Sequence, residues 1–125
     1  MKKNPPEPQI VKGQDVDEAL ERIIKNKDDD IEGTFCFELF ELRIFNESLL
    51  LELLTDLELV VEYGHLNLPQ REVINWIGLC TFRCFTSHFN SLDRYKILSL
   101  DSEAYSRWSN VYFERFRAVL SANIS

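Results

Sequence analysis

The sequence predicts an all-α protein, a single-domain irregular antiparallel bundle of four or five helices. The chain has 125 residues, of which 45% are apolar, and this suits one compact domain. Apolar residues recur at helical spacing in several segments, and residues typical of helix ends bound those segments. We therefore divide the chain into a flexible, proline-rich leader at residues 1–14 and one helical domain at residues 15–125.

The first helix is predicted from Val16 to Lys27, because its apolar residues fall on one face. Asp15 precedes it, with Glu18 three residues later, and this spacing is an N-cap signature. An acidic loop at residues 28–33 follows. Thr34 is then expected to cap the next helix, because a threonine hydroxyl can accept a hydrogen bond from the first turn.

The segment 34–63 is too rich in apolar residues to show a clean period, but its leucine and glutamate content favours helix. Within this segment, large apolar side chains occur at every second position near the start of residues 34–45, a spacing also typical of a β-strand. A strand is therefore the other possible structure for these residues. We expect a break or kink at residues 46–48. Gly64 is expected to end the helix in the left-handed conformation.

The next helix is predicted from Pro69 to Asn90 and should be the central buried element, since it has little polar face. Gly78 would let a neighbouring helix pack closely. Residues 91–100 form a connection, and Asp101 or Ser99 caps the last helix. The apolar stripe of that last helix is predicted to contain Tyr105, Trp108, Val111, Tyr112, Phe116 and Val119.

The acidic charge is concentrated in the first half of the domain. Residues 15–62 contain fifteen acidic and four basic residues, a net charge of −11, whereas residues 63–125 carry +2. Such a surface repels phosphate backbones, which argues against direct binding of nucleic acid. It favours encounter with a basic protein partner. The alternative is that the carboxylates only keep the protein soluble.

Seven acidic residues are interspersed among the apolar residues of segment 34–63, and they are the predicted partner-binding residues. If aromatic side chains lie among them, the surface combines apolar anchors with charge steering. The alternative is a solvated helix face. The seven residues are Glu38, Glu41, Glu47, Glu52, Asp56, Glu58 and Glu62.

Cys80, Cys84 and His88 recur every four residues and could face a metal ion. A structural zinc site needs four ligands, and the spare candidates are Cys36 and the distant His65. Cysteines on a nearly apolar helix are more often buried core residues. We therefore predict reduced thiols and no metal site.

The acidic loop partly matches a calcium-binding loop at Asp28, Asp30, Glu32 and Gly33. The position that should supply a bidentate glutamate is Leu39, so coordination is incomplete and any calcium site would be weak. The sequence also contains no phosphate-binding loop, nucleophile elbow or zinc-protease motif. We expect no catalytic residues, no enzyme activity and no cofactor.

The sequence shows no secretory signal and no apolar stretch long enough for a membrane span, so we expect a cytoplasmic protein without membrane insertion. The predicted function is that of an acidic protein-binding inhibitor. It would neutralise a basic partner enzyme, as an immunity protein neutralises a nuclease toxin or an anti-defence protein its target. One alternative is a helical adaptor or self-associating structural module, for which a homodimer is possible. Another is a weak metal-binding sensor.

Overall fold

The fold was analysed in a computed structural model that describes residues 12–27 and 31–124. The structure is 75% helical, and the described residues contain no strand. The prediction of an all-α bundle of four or five helices is therefore confirmed. Of the predicted leader, residues 1–11 lie outside the described residues.

Six α-helical segments and two π-helical turns make up the bundle. The α-helices are α1 (Gly13–Lys25), α2 (Phe35–Phe37), α3 (Glu47–Tyr63), α4 (Leu68–Phe89), α5 (Ser102–Arg107) and α6 (Phe113–Ile124). One π-helical turn, Glu38–Leu42, continues α2, and the other, Trp108–Tyr112, joins α5 to α6 without a gap.

α1 begins about one turn earlier than the sequence pattern predicts. Lys12 is its N-cap, and Asp15 lies in the first turn, where its carboxylate accepts a hydrogen bond from the Lys12 N–H at 3.2 Å. An acidic residue in the first turn can reach back to the N-cap in this way, as in a capping box. The prediction that Asp15 itself is the N-cap was therefore wrong.

The uncertain segment after the acidic loop is helical, not a strand. Thr34 caps it as predicted, because its hydroxyl oxygen accepts a hydrogen bond from the Phe37 N–H at 3.2 Å. The helix ends at Arg43, which adopts φ 58°, in the left-handed region. Asn46 then caps α3 by accepting from the Leu49 N–H at 3.2 Å, so the predicted break is confirmed.

α1 packs antiparallel to α3, with Gly64 at one end of the contact. Gly64 has φ −85° and ψ 155°, so the predicted left-handed conformation was wrong. A Cβ atom there would lie 2.6 Å from the Val60 carbonyl oxygen and 3.3 Å from Cγ1 of Val16. Glycine is therefore required by close approach, because any side chain would collide with the backbone of α3.

α4 packs antiparallel to α6. It starts after Asn67, whose side chain accepts from the Gln70 N–H at 2.9 Å, with Pro69 in the first turn. Gly78 is buried against Leu120, whose methyl carbons would lie 2.8 Å from an added Cβ atom. Ile74, Ile77 and Phe85 of this helix lie in the core, and the prediction that Gly78 allows close packing is confirmed.

The burial of α4 is not complete on all sides, however. Leu79 is 63% exposed and Phe89 57% exposed. The prediction of a central buried helix is therefore correct only in part, because α4 leaves these two large apolar side chains exposed.

The C-terminal helix begins at Asp101, whose carboxylate accepts from the Ala104 N–H at 2.7 Å. Ser99, the other predicted cap, instead accepts a hydrogen bond from the Phe45 N–H at 2.7 Å. The predicted stripe is buried at four positions and exposed at two, Tyr105 and Val111. The π-helical turn has more residues per turn than an α-helix, so the 3.6-residue pattern does not continue through it. The buried positions are Trp108, Tyr112, Phe116 and Val119.

Candidate functional site

Three of the predicted partner-binding residues form two-pronged ion pairs with arginines of the same chain, at the surface of the bundle. All three carboxylates belong to α3, and their arginines come from α1 on one flank and from the C-terminal helix on the other. The pairs are Arg22 with Asp56 (both contacts 3.0 Å), Arg107 with Glu47 (2.8 and 2.6 Å) and Arg115 with Glu58 (3.1 and 2.5 Å). Part of the acidic charge of α3 is thus neutralised within the chain.

Glu47 is the most extensively bonded of these carboxylates. Besides Arg107, it accepts a hydrogen bond from the Tyr112 hydroxyl at 3.0 Å. The hydrogen bonds from Arg107, aided by the one from Tyr112, lower the pKa of Glu47 although burial opposes the shift. Glu47 is therefore held as a carboxylate that fastens the C-terminal helix to α3.

The remaining four predicted residues differ in their contacts. Glu38 accepts a hydrogen bond from the Asn46 side chain at 3.1 Å. Glu41, Glu52 and Glu62 are exposed and form no hydrogen bond or ion pair among the described residues. These three carboxylates remain available to a partner.

The outer side of α1 carries a groove that the sequence analysis did not assign to partner binding. Asp17 and Glu21 border it, both exposed, and Ile24 is 44% exposed within it. Its volume is about 450 Å³. The spacing of apolar residues correctly places Ile24 on the apolar face of α1. That face is wider than the part of it that α3 covers, and this depends on the packing of the two helices, which the spacing does not reveal. The other residues lining the groove are Leu20, Lys25 and Ile31.

Next to this groove, a cleft of about 150 Å³ lies between α1 and α3. Lys25 lines both the groove and the cleft, and Glu52 and Leu49 line the cleft alone. The two depressions therefore form one continuous surface, here called the α1–α3 face. Three of its carboxylates, those of Asp17, Glu21 and Glu52, form no ion pair among the described residues, and they share the face with the Lys25 ammonium and exposed apolar carbon.

A separate groove of about 520 Å³ lies between α3 and α6. Glu58 and Glu62 border it on α3, and small residues of α6, Ala118 and Ala122, form its other wall. Because Glu58 is already paired with Arg115, Glu62 contributes the free charge of this groove. Of the predicted residues, Glu52 and Glu62 thus lie on different surfaces.

The three cysteines come together where α2 meets α4, and all are reduced. Cys36 is fully buried, while Cys80 and Cys84 are partly buried. Burial is the main cause that raises the pKa of each thiol. The thiols are therefore poor nucleophiles and poor metal ligands at neutral pH.

His88, the third member of the predicted metal-facing row, is hydrogen-bonded to the protein instead. Its Nδ1 accepts a hydrogen bond from the Ile97 N–H at 2.9 Å. Among residues 12–27 and 31–124, no group of three or more histidine, cysteine or acidic side chains could hold a metal ion. Asp28 and Asp30 of the partial calcium loop lie outside the described residues.

Within the part of the chain that the structure describes, no helix is both long and apolar enough to cross a membrane. No protein-family model, curated protein or solved structure matches the chain.

Proposed function

We propose that this protein is an acidic protein-binding inhibitor that docks its α1–α3 face on a basic partner enzyme. The proposed class is that of immunity or anti-defence proteins, with a nuclease toxin or another nucleic-acid enzyme as the partner. We also propose that it acts in the cytoplasm, since its three free thiols suit a reducing compartment.

The observation that carries this proposal is the composition of the α1–α3 face. Within the described residues, Asp17, Glu21 and Glu52 form no ion pair. Asp17 and Glu21 border the same groove as the exposed Ile24, and Glu52 lines the neighbouring cleft. A protein interface combines these two elements, because charge steers the encounter and apolar burial prolongs the complex. A surface that served solubility alone would not need the apolar groove.

The ion pairs of α3 restrict which carboxylates can contribute. Glu47, Asp56 and Glu58 would have to leave an arginine of their own chain before they could pair with a partner. The cost of breaking such a pair offsets what the new contact would gain. We therefore expect Glu52 to contribute more to binding than Asp56, although both come from the same predicted set.

Association kinetics with a basic nuclease encoded beside this chain's gene test the proposal. In the double variant Glu21→Gln and Glu52→Gln, the association rate at low salt should fall about three- to tenfold, because long-range attraction acts on the encounter. The matched control is Glu72→Gln with Glu103→Gln. It removes the same charge from exposed positions on α4 and α5.

The salt dependence provides the second readout. Rates for the parent and the double variant should converge as salt rises, because the Debye length shrinks to about 3 Å at 1 M. Equal association rates for both double variants would show that the α1–α3 face does not steer the partner. If Ile24→Asp abolishes binding while the charge variants do not slow it, the partner uses the apolar contact of this face but is not steered by its charge.

A second candidate function is self-association through exposed aromatic surface. Phe89 and Tyr105 pack against each other with ring centroids 4.8 Å apart, and both remain substantially exposed, 57% and 40%. Aromatic side chains of this kind are enriched in protein interfaces. Sedimentation equilibrium tests this alternative: a homodimer that resists salt and is lost in Phe89→Ser would favour an adaptor or structural module.

A further inference from the structure

The connection between α4 and α5 contains a segment, residues 93–99, that closes over the link between α2 and α3. We call this segment the strap. The Leu98 N–H donates to the Arg43 carbonyl at 2.7 Å, and the Ser99 hydroxyl oxygen accepts from the Phe45 N–H at 2.7 Å. The strap is therefore fastened to an extended stretch that offers free backbone groups.

The strap also covers part of the core. The side chain of Ile97 is 3% exposed. The Tyr95 hydroxyl donates to the Leu39 carbonyl, and the Cys84 thiol is a further hydrogen-bond partner of the phenol. Displacement of the strap would therefore expose apolar core together with the Cys84 thiol.

His88, in the last turn of α4, holds the middle of the strap. Its Nδ1 accepts the Ile97 N–H at 2.9 Å. Since a backbone N–H can only donate, Nδ1 must be unprotonated, and the neutral ring carries its proton on Nε2. A protonated ring would have a hydrogen on both nitrogens, so two donors would face each other and the bond would be lost.

The surroundings of His88 favour the neutral ring. From the strap, Lys96 places its ammonium group near the ring, and Asp93 is bonded to the Tyr95 N–H at 2.9 Å. From the helices, Phe89 packs edge-on to the ring at 4.7 Å, and Tyr105 of α5 lies behind Phe89. Burial, and then the charge of Lys96, lower the pKa of His88.

Two charged side chains also fasten the strap, and neither is an imidazole, the side-chain type that ordinarily changes charge between mildly acidic and neutral pH. The Lys96 ammonium donates to the carbonyls of His88 at 2.9 Å and of Asn90 at 2.8 Å, where it caps the C-terminus of α4. The carboxyl of Asp93 has its pKa lowered, chiefly by the backbone N–H of Tyr95, so it stays ionised. His88 is thus the strap contact that titrates in this range.

We propose that His88 is an acid-sensitive latch: its neutral imidazole holds the strap over the core, and protonation releases the strap. A histidine whose pKa is lowered in the closed state stabilises that state above its ordinary pKa of about 6.5. That stabilisation is lost progressively as the pH falls from about 6.5 through the lowered pKa that His88 has in the closed state. Acidification would then uncover Cys84 and the apolar surface under Ile97.

Amide hydrogen exchange in the intact protein tests the latch directly. The protection factor of the Ile97 amide should fall roughly tenfold between about pH 7.5 and about pH 5, as expected for the loss of one buried hydrogen bond. The Leu49 amide is the internal control, because it donates to the side chain of Asn46, which does not titrate. Its protection factor should stay constant.

The variant His88→Asn provides the matched control. Its side-chain oxygen can accept near the position of Nδ1 but takes up no proton, so the protection of the Ile97 amide should become independent of pH. A parent protein whose Ile97 protection does not change with pH, or a variant as pH-dependent as the parent, would overturn the latch.

If the variant fails to fold, nitrogen NMR of the imidazole in the parent decides the question. At neutral pH, Nδ1 of His88 should give the shift of an unprotonated acceptor, and the ring should titrate below a histidine in an unstructured peptide. A His88 pKa equal to or above that of a histidine in an unstructured peptide would contradict the proposal, since the hydrogen bond from the Ile97 N–H would then not oppose protonation of Nδ1.

Discussion

Arg22 of α1 and Asp56 of α3 form a two-pronged ion pair, in which Nε and Nη2 each lie 3.0 Å from a carboxylate oxygen. The Asp56 side chain is only 14% exposed, whereas that of Arg22 is 56% exposed. The pair fixes the register of the antiparallel α1–α3 contact. It also removes one carboxylate from the charge that a partner could meet.

Asp56→Asn should destabilise the fold more than Glu52→Gln. Asp56 loses a two-pronged pair of a kind that contributes about 0.5 to 1 kcal/mol near a protein surface, whereas Glu52 has no ion pair to lose. Urea unfolding measures both. A double-mutant cycle with Arg22→Gln should show that most of the stability lost in Asp56→Asn comes from the Arg22–Asp56 pair. Equal losses of stability in Asp56→Asn and Glu52→Gln would contradict this prediction.

Gly64→Ala should destabilise the protein by about 1 to 3 kcal/mol, because its Cβ would collide with the Val60 carbonyl oxygen, which cannot move without disturbing α3. The matched control is Gly13→Ala, whose Cβ would meet nothing within 4 Å. That change, in the first turn of α1, should be neutral or slightly stabilising. Thermal unfolding of both variants is the measurement, and a Gly64→Ala variant as stable as the parent would contradict the predicted collision with the Val60 carbonyl oxygen.

Phe45→Ala should cost about 3 to 5 kcal/mol although Phe45 lies in an extended stretch between helices. Its ring is 6% exposed and packs against four others, with Phe85 the nearest at 5.5 Å. Trp76→Ala should cost less, since Trp76 is only partly buried and packs on Phe40. Urea unfolding at neutral pH tests the order, and a larger loss for Trp76→Ala would reverse it.

Stability should depend on the ionisation of Glu47. Its lowered pKa means that its contribution is fully present above the ordinary carboxyl value of about 4.3 and is lost as the pH falls through the lowered value. Glu47→Gln should therefore be less stable than the parent at pH 7, with the difference shrinking in acid. Glu41→Gln, at an exposed carboxylate without an ion pair, is the control and should track the parent at every pH.

Local sequence determined most of the helix boundaries. Thr34 and Asp101 cap their helices as predicted, because a side-chain oxygen can satisfy a free N–H within a few residues, and this depends little on the rest of the fold. Gly78 was also identified correctly, as a position where another helix could pack closely. Composition and charge also predicted the class of the fold and an acidic surface.

The tertiary structure alone decided which carboxylates are free. Glu52 and Asp56 are one helical turn apart and look equivalent in sequence, yet only Asp56 meets an arginine, and that arginine lies thirty-four positions away. The sequence by itself therefore determined where most of the helices start, though not α1, and how much charge they carry, because both follow largely from neighbouring residues. The partners of each charge depend on how distant helices pack, and no local pattern encodes that.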